Sequence, residues 1–351
     1  GADALRFALI HGAAPGNDQK FNAEKLENAR NFANKLWNAA RFVLGARPAS
    51  IPADALRSAP DPARLGPAER WLRSRVAATV AAADRALADY AFGQLTATLY
   101  DAIWGEYCDW ALELAKVRLA DEALPDADRE TTWWTLVEAL DTYLRLLHPV
   151  MPFVTEAIWG QLPKGAGDPE LLMVADWPAA GPVEEAADAE TGVLLDLVRA
   201  IRNARAEARV EPGAWLPVDV AVPAAAAGTF DALRPALERL ARARPLVRVA
   251  DRGALHADPR GGLAVVADDL EAVVRPPAVE AGTAARDRLR LEKELADTEA
   301  QLASTRARLA DERFTSKAPA AVVDGTRARE AELADRAARL RARIAGREGA
   351  G

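Results

Sequence analysis

The chain has 351 residues, of which 50% are hydrophobic and 28% charged, and its formal net charge is −7. That length predicts two or three domains, and the composition excludes a disordered chain and a membrane-spanning one, so we expect a soluble globular protein. The single cysteine, Cys108, excludes a disulfide scaffold and fits a reducing cytosol.

The negative net charge argues against nucleic acid as a partner, but the charge is unevenly distributed. Residues 283–351 carry 15 basic and 12 acidic side chains, which leaves 30 basic and 40 acidic ones on residues 1–282. A phosphate-binding surface would therefore have to be local. Position 1 is Gly, and no secretion signal follows it. We interpret this start as that of a processed or cut piece.

The first long helix is predicted over residues 23–44. Residues 1–21 before it hold a short apolar stretch and then a turn-rich segment that blocks helix continuation. From residue 23 onward, apolar side chains recur every three or four positions until Gly45 and Pro48 end the pattern. This spacing predicts one long amphipathic helix.

Similar patterns recur along the first half of the chain. After a proline-rich connection they predict helices over about 68–87, 92–119 and 130–147. A short further helix is expected after the prolines at 149 and 152. Together these elements predict an antiparallel helical bundle over residues 22–183.

A domain boundary is expected near Glu184, and the second half of the chain follows different patterns. Residues 184–280 predict a small α/β domain, with helices over 190–209 and 230–242, a strand at 215–222 and β-rich segments at 246–250 and 263–267. The apolar segment 269–274 is expected to close this domain. From Arg286 onward, leucine and threonine alternate spacings of four and three, a stripe typical of a two-stranded coil. A break at residues 314–319 and a second such stripe predict a helical hairpin.

The predicted fold class is thus mainly α, with an antiparallel helical bundle, a small α/β domain and a C-terminal antiparallel coiled-coil hairpin over residues 281–351. Catalytic residues are not expected. His11, His148 and His256 each have an ordinary structural explanation, and the sequence contains no phosphate loop, metal-spaced ligand set or serine nucleophile motif. We therefore assign no catalytic residue and no metal ligand to this chain.

The polar residues of the first long helix are the most informative ones. Four asparagines, which are poor helix formers, alternate there with basic side chains and suggest hydrogen bonding to a partner. Amides and guanidinium groups together suit base edges and phosphates. Trp37, Phe42 and Trp110 are either stacking faces or core residues. The candidate contacts in the bundle are Arg30, Asn34, Lys35, Asn38, Arg41 and Trp110.

Two further basic clusters are weaker evidence. Arg199, Arg202, Arg205 and Arg209 follow one another at helical spacing, for which a solvated face paired with acids is the ordinary explanation. The basic residues of the hairpin alternate with acidic ones, as in any soluble coil. The candidates retained from these clusters are Arg202, Arg205, Arg290, Lys293, Arg306 and Lys317.

Several segments, in the same order, resemble the valyl-tRNA synthetase family. Residues 28–42 resemble the helix that opens its anticodon-binding bundle, and isoleucyl and leucyl enzymes share that likeness more loosely. Segments 106–116 and 148–159 resemble two further signatures of the bundle, and 201–213 resembles the start of the small domain after it. Residues 314–323 are similar to the tip of the family's C-terminal coiled-coil arm, which isoleucyl and leucyl enzymes lack.

This resemblance implies a division of labour within a longer enzyme. Residues 1–21 would be the end of the catalytic and stem-contact region, since they resemble the segment after the family's second signature loop. The two catalytic signatures, the nucleotide-binding domain and the editing domain are absent from this sequence. The resemblance implies that the parent enzyme joins valine to its tRNA with ATP and Mg²⁺, whereas this chain needs no cofactor and supplies anticodon and tRNA-corner binding in the cytoplasm, as a monomer.

Two other hypotheses stay open from the sequence. A bundle with a coiled coil could be an adaptor that binds protein and never RNA, which the net charge of −7 favours and the four asparagines do not explain. A stand-alone paralogue of the synthetase would need a start codon upstream of Gly1. The main hypothesis is that of a tRNA-binding chain. In it, Asn38, Arg41 and Trp110 lie next to the anticodon bases, and the basic residues of the hairpin contact phosphate or sugar.

Overall fold

The structure is a computed structural model that describes residues 1–13, 21–256, 262–267, 270–275 and 281–310, and, in the last part of the chain, 323, 325–331, 333, 334, 337, 338 and 341. It has two compact units, Gly1–Arg275 and Pro276–Gly351. The first unit contains the helical bundle and the sheet. The second contains a pair of helices.

Seven α-helices and one π-helical segment form the bundle. They are α1 (Ala2–Ile10), α2 (Ala23–Gly45), α3 (Pro67–Ala88), α4 (Phe92–Tyr100), the π-helical segment Asp101–Ala111, α5 (Leu112–Leu119), α6 (Asp126–Leu147) and α7 (Pro152–Trp159). The side chain of Asn22 accepts a hydrogen bond from the backbone N–H of Lys25 at 2.9 Å, which caps the start of α2. α4, the π-helical segment and α5 follow one another without a break and form one helical rod.

Side-chain contacts give the relative directions of α2, α3 and the helical rod. Arg75 in the middle of α3 pairs with Glu106 at 2.7 Å, whereas Glu69 at the start of α3 pairs with Arg118 near the end of α5 at 3.5 Å. α3 and the rod are therefore antiparallel. Lys35 and Phe42 of α2 contact Asp109 and Lys116 of the rod in rising order, so α2 runs in the same direction as the rod.

α6 is the central helix of the bundle, and its side chains are buried almost all around. The Trp133 indole donates to the backbone carbonyl of Val43 at 2.7 Å, and the Tyr107 hydroxyl donates to that of Leu136 at 2.9 Å. Trp159 of α7 donates to the Asp141 carboxylate at 2.7 Å. Each hydrogen bond satisfies a buried polar group and fixes a neighbouring element against α6.

The small α/β part belongs to the same compact unit. It contains α8 (Glu185–Glu207), α9 (Ala227–Ala241), a short helix α10 (Arg252–His256) and the strands β1 (Leu216–Ala221), β2 (Ala243–Val249), β3 (Leu263–Ala267) and β4 (Leu270–Val274). The sheet order is β2-β1-β4-β3, with β1 and β2 parallel and the other pairs antiparallel. α9 is the crossover between the two parallel strands, and α8 and α9 pack against the sheet.

The second unit contains α11 (Ala281–Ala310) and a following helical stretch that includes residues 325–331. Glu299 pairs with Arg341 at 2.6 Å, and Arg306, later in α11, pairs with the earlier Glu330 at 2.8 Å. The two helices are therefore antiparallel. Leu302 and Leu333 are among the side chains buried in this unit. That the pair supercoils stays a prediction.

The predicted fold class is confirmed, since the chain is mainly helical with one small mixed sheet. Three details differ from the sequence analysis. The apolar stretch near the start forms α1, the predicted helix over 92–119 contains a π-helical segment, and His256 ends a short helix instead of lying in a loop. The predicted break at 314–319 lies outside the described residues. The domain boundaries near 184 and 281 stay predictions.

The burial of Cys108 in the rod gives a first test of this packing. Its side chain is 5% exposed, and burial raises the pKa of the thiol to about 12 despite the nearby Lys35 ammonium. Because the thiolate is the reactive form, we expect Cys108 of the native chain to resist a thiol reagent at pH 8 and to react fully in denaturant. Rapid stoichiometric labelling of the native chain, measured by mass spectrometry, would contradict this placement.

Candidate nucleic-acid interface

α2 presents its polar residues to solvent because its apolar stripe is buried. Phe32, Leu36 and Val43 are fully buried against the bundle core. The exposed residues of the helix include Asn28, Arg30, Asn31, Asn34, Trp37, Asn38 and Arg41. An asparagine amide donates and accepts hydrogen bonds at once, as the edge of a nucleic-acid base requires. We call this set of seven residues the α2 face.

Lys35 lies at the border between the α2 face and the helical rod. Its ammonium nitrogen is 2.8 Å from an Asp109 carboxylate oxygen and 5.3 Å from the centre of the Trp104 ring. Partial burial opposes the charge on Lys35, but the hydrogen bond to Asp109 and the negative charges of Asp109 and Glu113 together outweigh it and raise the pKa of the ammonium. Lys35 is therefore a fixed positive charge whose position depends on the π-helical segment.

The arginines and tryptophans of the predicted set differ in their availability. Arg30 is exposed and forms a surface ion pair with Glu27 at 3.0 Å, which an RNA phosphate could replace at little cost. Trp37 is 37% exposed. Trp110 is only 5% exposed, and the guanidinium groups of Arg199 and Arg202 lie 4.9 and 5.3 Å from its ring centre. A base could stack on Trp110 only if those guanidinium groups moved.

Arg202 and Arg205 lie at the C-terminal end of α8 and bind backbone carbonyls. Arg202 donates to Leu240 at 2.9 Å. Arg205 is 7% exposed and donates to the carbonyl of Ala214 at 2.7 Å and, more weakly, to those of Glu211 and Arg242. Burial, and for Arg205 also the charge of Arg242, lowers the pKa of both guanidinium groups. Arg205 therefore connects two loops from inside the unit.

The hairpin candidates are only partly described. Lys293 is exposed. The side chain of Arg306 is 58% exposed and pairs with Glu330. The side chain of Arg290 and the whole of Lys317 lie outside the described residues. Of the four predicted contacts in this unit, two are therefore at the surface of α11.

The sequence analysis missed the residues that surround Arg202 and Arg205. Trp215, Arg239 and Arg242 line the same groove as those two arginines. Trp215 precedes β1, whereas Arg239 and Arg242 lie at and just after the end of α9, so only the folded chain brings them together. Their spacing in the sequence therefore contained no signal.

Metal-binding clusters and membrane-spanning helices are both absent from the described residues. They hold no group of three His, Cys, Asp or Glu side chains that could bind a metal ion. No described helix is both long enough and apolar enough to cross a membrane.

Two segments of the chain match known protein families. Residues 69–220 match the family described as the anticodon-binding domain of tRNA ligase. Residues 284–346 match the family described as the valyl tRNA synthetase tRNA binding arm. By these two domains, the chain belongs to the valyl-tRNA synthetase family. The first match includes the helical rod, α6 and α8, and the second includes most of α11.

Relatives of this chain are named valine-tRNA ligase. The protein of Dehalococcoides mccartyi is 38% identical over 97% of this chain, that of Symbiobacterium thermophilum 37% over 98%, and that of Bacillus cereus 34% over 98%. The chain spans 38%, 39% and 38% of these three relatives, respectively. The match therefore covers nearly the whole chain but less than two fifths of each relative. Nothing in these comparisons supports a protein-binding adaptor.

The hydrogen bonds of Arg205 to the carbonyls of Glu211, Ala214 and Arg242 predict a structural role for this residue. Arg205→Ala would leave up to three carbonyls without their donor, so we expect the free energy of unfolding to fall by about 2 kcal/mol and the melting temperature by several degrees. Arg205→Lys should be almost as damaging because an ammonium cannot bridge both loops. Arg85→Ala, which removes an exposed arginine from the last turn of α3, is the control. Equal melting temperatures for Arg205→Ala and Arg85→Ala would show that this assignment is wrong.

Proposed function

We propose that this chain recognises tRNA, with the α2 face against the anticodon bases and the helix pair of the second unit against another part of the same molecule. The observation that carries the proposal is the α2 face itself. Its asparagines, Trp37 and Arg41 are exposed on one helix, in a chain whose family matches name anticodon binding and a tRNA-binding arm. Unpaired anticodon bases can be spread out, stacked on an aromatic ring and hydrogen-bonded along their edges.

Each side chain has a distinct part in this proposal. Asn34 and Asn38 bind base edges, and Trp37 offers the open ring on which a base can stack. Arg30 and Arg41 bind phosphates or base edges, while Lys35 adds a positive charge at the border. Trp110 contributes to base recognition only when Arg199 and Arg202 leave its ring.

The helix pair supplies the second contact. Arg290, Lys293, Arg306 and Lys317 would bind phosphate or sugar at the outer corner of the tRNA, which fixes orientation but carries no sequence information. On a chain with a net charge of −7, few basic residues give a modest affinity that falls steeply with salt.

The ligase reaction belongs to the proposal for the longer protein. There, valine is joined to valine tRNA with ATP and Mg²⁺ outside the residues of this chain. The residues of this chain bind and orient the tRNA, so they contribute to the affinity for tRNA and not to the chemical step. We further propose that the chain acts in the cytoplasm and as a monomer.

Substitutions on the α2 face test the proposal directly. Asn38→Ala should reduce the preference for valine tRNA over an anticodon-swapped version about tenfold, because it removes a hydrogen bond to a base edge. Arg41→Ala should weaken binding about tenfold. Titrations with valine tRNA, the swapped version and an unrelated tRNA at two salt concentrations measure both effects.

Arg85→Ala is the control, since Arg85 is an exposed arginine in the last turn of α3. It should change the affinity less than twofold. Wild-type affinity in folded Asn38→Ala and Arg41→Ala variants would remove these residues from the interface. Equal binding of the wild-type chain to all three tRNAs would contradict anticodon recognition by this chain.

A further inference from the structure

A groove of about 580 Å³ opens in the first unit where the ends of α8 and α9 meet the residue before β1. Four arginines line it: Arg202, Arg205, Arg239 and Arg242. Trp215 lies at the same groove and is 40% exposed. We call this the Trp215 groove. None of the residues that line this groove belongs to the α2 face.

Among the described residues, no carboxylate lies within ion-pair distance of the four arginines of the Trp215 groove. Arg202, Arg205 and Arg242 are hydrogen-bonded to backbone carbonyls, and the charges of Asp109 and Glu113 act on Arg202 only from a greater distance. Glu113, an acid in the lining, pairs with Lys116. A surplus of guanidinium groups on a chain of net charge −7 indicates an anionic ligand.

The Trp215 ring indicates which class of anion the groove binds. The guanidinium carbons of Arg244 and Arg242 lie 4.5 and 5.8 Å from the centre of the Trp215 ring, so two positive charges lie beside an aromatic side chain that is still 40% exposed, whereas Trp110 beside its two arginines is only 5% exposed. Bases stack on such rings while the neighbouring phosphates pair with the cations, which is the usual arrangement for unpaired nucleic acid. An acidic peptide would use the charges but not the ring.

The Trp215 groove also adjoins the α2 face through a short series of contacts. Phe42, next to Arg41, lies under the Lys116 ammonium at 5.1 Å. Lys116 pairs with Glu113, and Glu113 lines the groove together with Arg202. These contacts therefore connect α2 to the groove across one turn of α5.

We propose that the Trp215 groove is a second RNA-binding site for the same tRNA, in which an unpaired nucleotide stacks on Trp215 and its flanking phosphates pair with Arg239 and Arg242. This inference rests on the proposed function. Arg205 is a positioning residue here, since it donates to the carbonyls of Ala214 and Arg242 and thereby fixes the two loops that carry the ring and the cation.

Two kinds of variant separate stacking from charge. Trp215→Ala should weaken binding of valine tRNA about tenfold, and Trp215→Phe should restore most of that loss because it keeps an aromatic face. Arg242→Gly and Arg239→Gln should each reduce the slope of log affinity against log salt by about 1. Arg242 has a φ of 49°, which glycine adopts without strain, so Arg242→Gly removes the guanidinium and leaves the backbone able to fold.

Matched controls lie elsewhere on the same unit. Trp177→Ala removes a tryptophan that is 38% exposed, and Arg234→Gln removes an arginine on α9 that pairs with Asp231. Both should bind tRNA within twofold of the wild-type chain. Melting temperatures of all variants establish that each is folded, and polyglutamate serves as a competitor that has charge but no bases.

The outcomes distinguish this inference from the proposed function. Full tRNA binding by folded Trp215→Ala and Arg242→Gly variants would overturn the groove and leave the α2 face intact. Failure of the wild-type chain to bind tRNA at low salt would overturn both proposals. Competition by polyglutamate as strong as that by an unstructured RNA of equal charge would show a general acid-binding surface and contradict base stacking on Trp215.

Discussion

The anchoring of α2 against α6 is the constraint on which the rest of the bundle surface depends. α2 ends at Gly45, where the carbonyl of Val43 accepts only a long bond of 3.3 Å from the backbone N–H of Ala46, and the buried Trp133 indole donates to the same carbonyl at 2.7 Å. With Phe32 and Leu36 fully buried as well, the helix cannot rotate about its axis without exposing apolar surface. The asparagines and arginines of the α2 face are thus held outward by the packing of the opposite stripe.

A second constraint acts at the sheet. Arg205 donates hydrogen bonds to backbone carbonyls of two loops and thereby connects them. In the sequence it is one of four arginines at helical spacing, for which a surface position is the ordinary expectation. Its neighbours Trp215 and Arg242 thereby line a groove whose four arginines form no ion pair with a described carboxylate. The same fold that buries one positive charge therefore leaves others available for an anion, on a chain that is acidic as a whole.

The sequence predicted the helices well because their apolar spacing is regular and their ends are marked by Gly45 and similar breaks. It also predicted the polar face of α2, since four asparagines in one helix have no packing explanation. It left open whether Trp110 is a stacking face or a core residue, and it did not predict the carbonyl contacts of Arg205, because both depend on residues from distant elements. The Trp215 groove is formed by the ends of α8 and α9 and the loop before β1, and residue spacing could not have predicted it.

The central claim is that this chain places the α2 face on the anticodon loop. A hydroxyl-radical footprint of valine tRNA, with and without the purified chain, measures this directly because it reports which riboses the protein covers. The account predicts protection of the anticodon loop, lost in the folded Asn38→Ala, Arg41→Ala double variant. Protection confined to the acceptor stem, or an anticodon footprint unchanged in that variant, would contradict it.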